Sequence, residues 1–386
     1  MSFSSVEIKK KFVQVASYPI KWLSEVNPYQ IKVKKADVLP PLSGDFALPK
    51  NKSIISDELM GQFTEKYSIK PLIINHIYKC CVTSYGVIYK NFKLFNPSLP
   101  AVLAKDKEVV WMKEEVGYTT ILMQFRHQLR KTNFHHEMII FHDYWSTNYY
   151  HWLVDSLPRL LILTEEEKAK KLAMPAKSSP AMLKTVRALG FNNLFIFGQD
   201  KQIYVEHIIA PERTAYGSFQ HPKLIPILRR NLLSAFCPDP VEPTRLIFVS
   251  RNRGPKRRLV NENDLVPLLS ACGFETVYFE ELDFEAQIRL MCETKVLIGV
   301  HGANMTNILF MHPSCTVIEL MNEDYLALVY YRMSSILNLS YYFVPCRPEK
   351  LIRPIKEPYD REANDSDVIV DVSQVANILS TIGIKA

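Results

Sequence analysis

Three stretches of this 386-residue chain carry residue types whose spacing could do chemistry. In NYYHWLVDSLPRL, His151, Asp155 and Arg159 stand four apart, so a helix would project them from one face, turn after turn. Asp155 could then orient His151 and support its charge, which is what a general base asks of its neighbour. The same spacing also fits a purely structural polar stripe, closed by an Asp155 to Arg159 ion pair. In SRNRGPKRRLVNEND, five cations fall within residues 251–258 (Arg251, Arg253, Lys256, Arg257, Arg258), with Gly254 and Pro255 making a turn among them. Guanidinium forks match phosphate oxygens, so this loop could hold a diphosphate, or it could be a solvated basic loop. The third stretch is VLIGVHGANMTNILFM, from Val296 to Met311. His301, Gly302, Ala303 and Asn304 combine an imidazole, small residues that let backbone approach a ligand, and free N–H groups at a helix start. Glu319, ending the next strand, could take the two hydroxyls of a ribose or simply be an exposed strand-end carboxylate.

The elements that must position these groups alternate. Val296, Leu297 and Ile298 read as a buried strand, and Met305, Ile308, Leu309 and Met311 recur at helical spacing after it. Upstream, the runs 77–92 and 117–125 predict strands with turns between them. Strand 137–143, a helix over 148–166, strand 171–175, a helix near 180–191, and strands 193–198 and 202–211 make a first α/β block. The helical pattern HPKLIPILRRNLLSAF closes it, and CPDPVEPT, with three prolines in eight residues, reads as a linker. From Arg245 onward strands and helices alternate again, which calls for a mostly parallel sheet covered on both faces. The expected fold is therefore α/β. Its divisions are a poorly legible segment 1–66, an α/β domain 67–236 with a β-rich start, a linker 237–244 and a Rossmann-like domain 245–386. Two such domains leave a cleft, where binding sites form.

Composition narrows the class. Hydrophobic residues make 47% and charged residues 23% of the chain, an ordinary globular balance. The net charge of +7 suits anionic partners such as nucleotides or polyanions, and Lys9–Lys11 with Lys32, Lys34 and Lys35 suit either a solvated face or peripheral contact with an anionic membrane. No apolar run approaches the roughly 20 residues of a spanning helix, and MSFSSVEIKKKF lacks the apolar core of a signal peptide, so the expected location is cytoplasmic, at most against the inner membrane face. Seven cysteines without a CxxC argue against a disulfide framework or zinc knuckle. Five histidines lie in residues 127–151, yet none has HExxH spacing, and no metal site is expected. Asp365 and Asp367 form an Asp-x-Asp in a polar loop that reads as a turn.

Together, NYYHWLVDSLPRL, SRN followed by RRLVNE, DFEAQI, GVHGANMTNILF and VIEL, in this order over about residues 135–345, resemble the glycosyltransferase family 61 (DUF563) domain. The resemblance implies two Rossmann-like domains in the GT-B arrangement, and an inverting transferase drawing on a nucleotide-diphosphate sugar, a UDP-sugar first. For such a transfer, the carboxylate-supported imidazole makes His151 the first choice of base and Asp155 the second. Donor contacts would come from Asn148, Arg159, Ser250, Arg251, Arg257, Arg258, His301, Gly302, Ala303, Asn304, Asn307 and Glu319. The acceptor would be a glycan or lipid-linked glycan, met on the first domain, in capsular or surface polysaccharide synthesis. Arginines can neutralise a leaving diphosphate, so no obligatory cofactor is expected, and no nucleic-acid partner. Two rivals remain at this stage: a non-catalytic module that binds a nucleotide or anionic glycan in an assembly system, and a hydrolase built on the histidine cluster and a metal.

Overall fold

The computed structural model describes residues 32–34, 41–90, 93–98, 134–198, 202–214, 219–350 and 361–385. The expected strand at 117–125 and the basic patch at Lys9–Lys11 lie outside them. Contacts divide the chain into two compact units, Met1–Pro41 with Lys70–Gly217, and Leu42–Ile69 with Ser218–Ala386. Strands are numbered along the chain across both units.

In the second unit, β2 (Leu42–Gly44) and β3 (Tyr67–Ile69) pair with each other, while the first unit holds β1 (Lys32–Lys34) and β4 (Ile74–Thr83) through β10. These are β5 (Ile88–Lys90), β6 (Lys93–Leu94), β7 (Phe134–Ile139), β8 (Leu172–Met174), β9 (Leu194–Ile196) and β10 (Gln202–Pro211). The first sheet runs β6-β5-β4-β10-β7-β8-β9, with β1 also on β4. β10, β7, β8 and β9 are parallel, and β4 to β6 form an antiparallel wing against β10. The described strands from Ile74 to Leu94 are thus part of one mixed sheet, held by a core that includes Ile77, Val82, Met138, Ile140, Val205 and Ile208, whereas β3 pairs in the second unit.

The second unit's large sheet uses β11 (Arg245–Val249), β12 (Glu275–Val277), β13 (Thr294–Val300), β14 (Thr316–Asn322), β15 (Ser340–Pro348) and β16 (Val368–Ile369), in the order β12-β11-β13-β14-β15-β16. All pairs are parallel except β15 with β16. Its apolar runs are buried on both faces, as a parallel sheet demands.

The unit boundaries differ from the sequence expectation. Helix Leu224–Phe236 belongs to the second unit, because its apolar stripe (Leu224, Ile225, Leu228, Leu232) is buried there and Arg229 Nη2 donates to the Met311 carbonyl at 2.7 Å. Residues 237–244 therefore connect two elements of one unit rather than two domains. The segment 42–69 also packs on the second unit: Asn51 exchanges two hydrogen bonds with the Phe343 backbone (2.6 and 3.1 Å), and Phe63 meets Tyr331 edge-on at 4.9 Å. The segment after the central strand is a 3-10 helix, Ala303–Phe310, rather than the expected α-helix.

Candidate functional site

In the first unit, β7, β8 and β9 step outward on one side while β10 returns on the other, so the sheet's switch point lies between β7 and β10. Ligand sites of open α/β sheets gather at the carboxyl ends of strands at such points. Asp143 follows β7 and caps the short turn Tyr144–Thr147, accepting from Trp145 N–H at 3.0 Å, while its own N–H donates to Ser146 Oγ at 2.8 Å. Asn148 Oδ1 then accepts from the Tyr150 and His151 amides at 3.0 and 3.4 Å, a capping role on an exposed side chain. The expected continuous helix is broken. Residues His151–Ser156 form a π turn in which Leu157 N–H reaches back five residues to Trp152, then an α turn covers Leu157–Leu160, and Thr164 caps a separate turn, Glu165–Lys168. π turns recur at functional sites because the inserted residue re-aims side chains.

The result is a tight dyad. His151 Nδ1 lies 2.6 Å from Asp155 Oδ2, and His151 Nε2 has no hydrogen-bond partner among the described residues. The carboxylate thereby selects the tautomer whose other nitrogen carries a lone pair. Arg159 is not part of that surface. It is buried, donating to the Asp155 carbonyl at 3.0 Å and to Asp143 Oδ2 at 2.6 Å, so the donor contact expected of it is corrected to an internal ion pair. Arg213, which the sequence did not single out, also bonds Asp143 Oδ2 and lies 3.7 Å from Asp155 Oδ2. Only its position just after a strand could have marked it. Burial alone pushes the Asp143 carboxyl up, but Arg159 and Arg213 overcome that and hold it down at about 2.

In the second unit the switch point lies between β11 and β13, and there the two remaining motifs meet. Arg251 follows β11 and Gly302 follows β13. A Cβ on Gly302 would lie 2.7 Å from Arg251 Cζ, so the absence of a side chain makes room for that guanidinium. The Nε atoms of Arg251 and Arg257 are buried without a hydrogen-bond partner. Burial, then the charge of Arg257, lowers the pKa of Arg251. Arg257 has positive φ (55°) and only a 3.7 Å contact to Asp365. Two half-buried cations whose Nε atoms are enclosed with so little compensation make a site for an anion.

The rest of the basic loop is engaged elsewhere. Arg258 pairs with Asp367 at 2.6 Å and Lys256 with Asp365 at 2.7 Å, while Arg253 pairs with Glu281 and lies 3.7 Å over the Tyr278 ring. Arg258 is therefore corrected from a donor contact to a loop anchor, and Asp365 and Asp367 serve as its counter-charges. Ser250 is buried, its Oγ donating to the Glu262 carboxylate at 2.8 Å, so it too faces inward.

His301 Nδ1 lies 2.6 Å from Glu319 Oε1, and Tyr341 donates to Glu319 Oε2 at 2.6 Å. With 0% exposure and both oxygens engaged, Glu319 cannot take ribose hydroxyls. It holds His301 instead. Asn307 is buried with its amide on Gln287 at 2.9 Å, whereas Ala303 and Asn304 keep partial exposure beside Gly302. Among the described residues no group of three or more His, Cys, Asp or Glu side chains is placed to hold a metal ion. His135 packs edge-on to Phe195, His136 against Phe134, and His142 is buried between the Ser84 and Ala173 carbonyls. All seven cysteines are free thiols, six of them buried.

Residues 149–318 match the family Glycosyltransferase 61. The chain is thus similar to Glycosyltransferase 61 proteins over less than half of its length. The matched stretch includes the His151–Asp155 dyad, Arg251, Arg257 and the Gly302 turn, and stops one residue short of Glu319. Similar stretches occur in the EGF domain-specific O-linked N-acetylglucosamine transferase of Drosophila melanogaster, 35% identical over 89 residues, 22% of this chain and 17% of that protein. The alpha-1,3-arabinosyltransferase XAT2 of Oryza sativa subsp. japonica is 30% identical over 98 residues, 24% of this chain and 16% of its own length. The Rattus norvegicus EGF domain-specific transferase is 38% identical over 74 residues, 18% and 14%. This chain thus spans less than a fifth of these relatives' lengths.

Proposed function

We propose that the protein is a glycosyltransferase that moves a sugar from a nucleotide-diphosphate donor to a glycan hydroxyl with inversion, in a GT-B division of labour. The observation that carries this reading is the pair of under-compensated guanidinium groups, Arg251 and Arg257, at the switch point of the second unit and inside the family match. They neutralise the donor diphosphate as it leaves, with Gly302 backbone and His301 beside them. In the first unit His151 Nε2 removes the acceptor proton while Asp155 holds the imidazolium that forms. Neither step requires a metal among these residues, and UDP-sugars are the first donors to try.

The relatives named above transfer N-acetylglucosamine or arabinose by their names, so hexosamine and pentose donors both belong in the test. The setting that goes with this reading is work on a capsular or surface polysaccharide at the cytoplasmic side of a membrane, and the net charge of +7 suits an anionic partner there. The protein would be incubated with a panel of UDP-, GDP-, CMP- and dTDP-sugars, with and without chelator, and free nucleotide release followed. Acceptor-stimulated release from one donor class is expected. Binding of nucleotide without turnover of any donor would favour the non-catalytic binding module.

A further inference from the structure

Resting on that reading of His151, we infer that Tyr85, Tyr144 and Trp145 form the acceptor subsite of the first unit and take the C–H face of a pyranose ring. Tyr85 is 50% exposed at the tip of the turn after β4, in a run where residues 80–84 and 86–89 are all buried. A single exposed aromatic needs no account. This one does not stand alone. Its ring lies 5.2 Å from Tyr144, the next residue along is Trp145, and Trp145 lies 5.1 Å from the His151 ring at 32°. Two ring contacts on adjacent residues of one turn therefore lead from Tyr85 to the side chain assigned to proton removal.

The turn that presents Tyr85 is pinned on both sides. Gly86 N–H donates to Thr83 O at 2.9 Å and Val87 N–H to Thr83 Oγ1 at 3.2 Å. His142 reaches the Ser84 carbonyl at 3.2 Å, and at Gly86 (φ 75°) any Cβ would run into the His142 carbonyl. The strand-end loop that carries Tyr144 thus fixes the backbone flanking Tyr85. Tyr144 and Trp145 are set in turn by the Asp143 and Ser146 cap. A subsite that must place one hydroxyl at Nε2 needs such rigidity.

A sugar ring fits the chemistry around these rings. One face of a pyranose presents C–H groups that pack on an aromatic surface, while its hydroxyls project sideways to polar partners. Polar side chains stand close by: Asn148 is exposed at the start of the His151 turn and Asp155 half-buried against His151, while the buried Arg213 lies 6.0 Å from the Trp145 ring.

Saturation-transfer NMR would test the subsite without relying on turnover. The probes are methyl α- and β-glycosides of glucose, galactose, mannose and xylose, plus an unglycosylated Ser/Thr-rich peptide, with saturating UDP present and aromatic protons irradiated. Transfer to ring C–H protons of at least one glycoside is expected in the wild type. Affinity should fall about tenfold in Tyr85→Ala and be retained in Tyr85→Phe. UDP affinity by calorimetry should be the same in all three. Equal transfer in wild type and Tyr85→Ala overturns the subsite, as does transfer to the peptide alone or to none of the probes. Failure of the wild type to bind UDP would count against the donor reading only, because the glycoside arm can be repeated without nucleotide.

Discussion

Arg251 shows how much depends on what a charged side chain lacks. Its Nε is buried without a partner and Arg257 repels it, so the folded chain bears an electrostatic cost that a bound diphosphate would relieve. Arg251→Ala should weaken UDP binding by roughly 1.5 to 3 kcal/mol, read by calorimetry. It should leave thermal stability unchanged or slightly raised, because a half-buried like-charge contact goes with it. Unchanged UDP affinity would sink the diphosphate assignment. Gly302→Ala tests the same pocket from the other strand: the new methyl collides with the guanidinium, so UDP binding should fall while the melting transition survives. At this scale the sequence was legible for residue type and order but not for direction. Arg251, Arg257, Arg258 and Lys256 are equivalent in a charge count, and only their partners Asp365 and Asp367, more than a hundred residues on, tell them apart. Glu319 looked like a ribose acceptor because strand-end carboxylates often are, and the Tyr341 donor that engages it comes from the neighbouring strand.

At the level of elements, the two loops after β7 and β10 are bound by one carboxylate. Asp143 compensates Arg159 and Arg213 together, and both cations are buried. Asp143→Asn should therefore destabilise the first unit by about 3 to 5 kcal/mol, since it strands two buried charges. Urea unfolding would measure it, and a loss under about 1 kcal/mol would show that solvent or neighbouring dipoles already compensate the arginines. The strands were legible almost to the residue where an apolar run is bounded by turn residues, as at 202–211. The helix over 148–166 was not, because side-chain periodicity does not reveal a π turn followed by Pro158, whose ring nitrogen has no proton to give. Helix Leu224–Phe236 was recognised as a helix and assigned to the wrong unit, since amphipathicity tells which face is buried but not against what.

For the molecule as a whole, pH should act through histidines kept neutral inside each unit. Burial pushes His142 in the first unit and His221 in the second down to about 4. The unfolded chain takes up their protons near the ordinary histidine value, about 6.5, while the folded chain resists until about 4. Stability is thus complete above about 6.5 and falls as pH drops toward 4, by on the order of 2 to 3 kcal/mol for the fully enclosed His142. Melting temperatures across that window should decline in the wild type and decline less in a folded His142→Gln variant; parallel curves would assign the loss to other groups. The α/β class and its alternation were readable from the chain, because a parallel sheet imposes its own rhythm of buried strands and crossover helices. The partition of residues 42–69 was not, since that segment joins the second unit through single contacts such as Asn51 to Phe343 that leave no periodic trace.

The central claim is that this chain transfers a sugar with His151 as base, and one comparison tests it most directly. Acceptor-stimulated turnover of the preferred UDP-sugar and UDP affinity would be measured side by side for wild type, His151→Ala and Asp155→Asn. Loss of the base should cut turnover by about 10² to 10⁴ with donor affinity little changed, and Asp155→Asn should cut it as well by releasing the imidazole from its tautomer. Near-normal turnover in both variants would contradict the account and leave the dyad as scaffold.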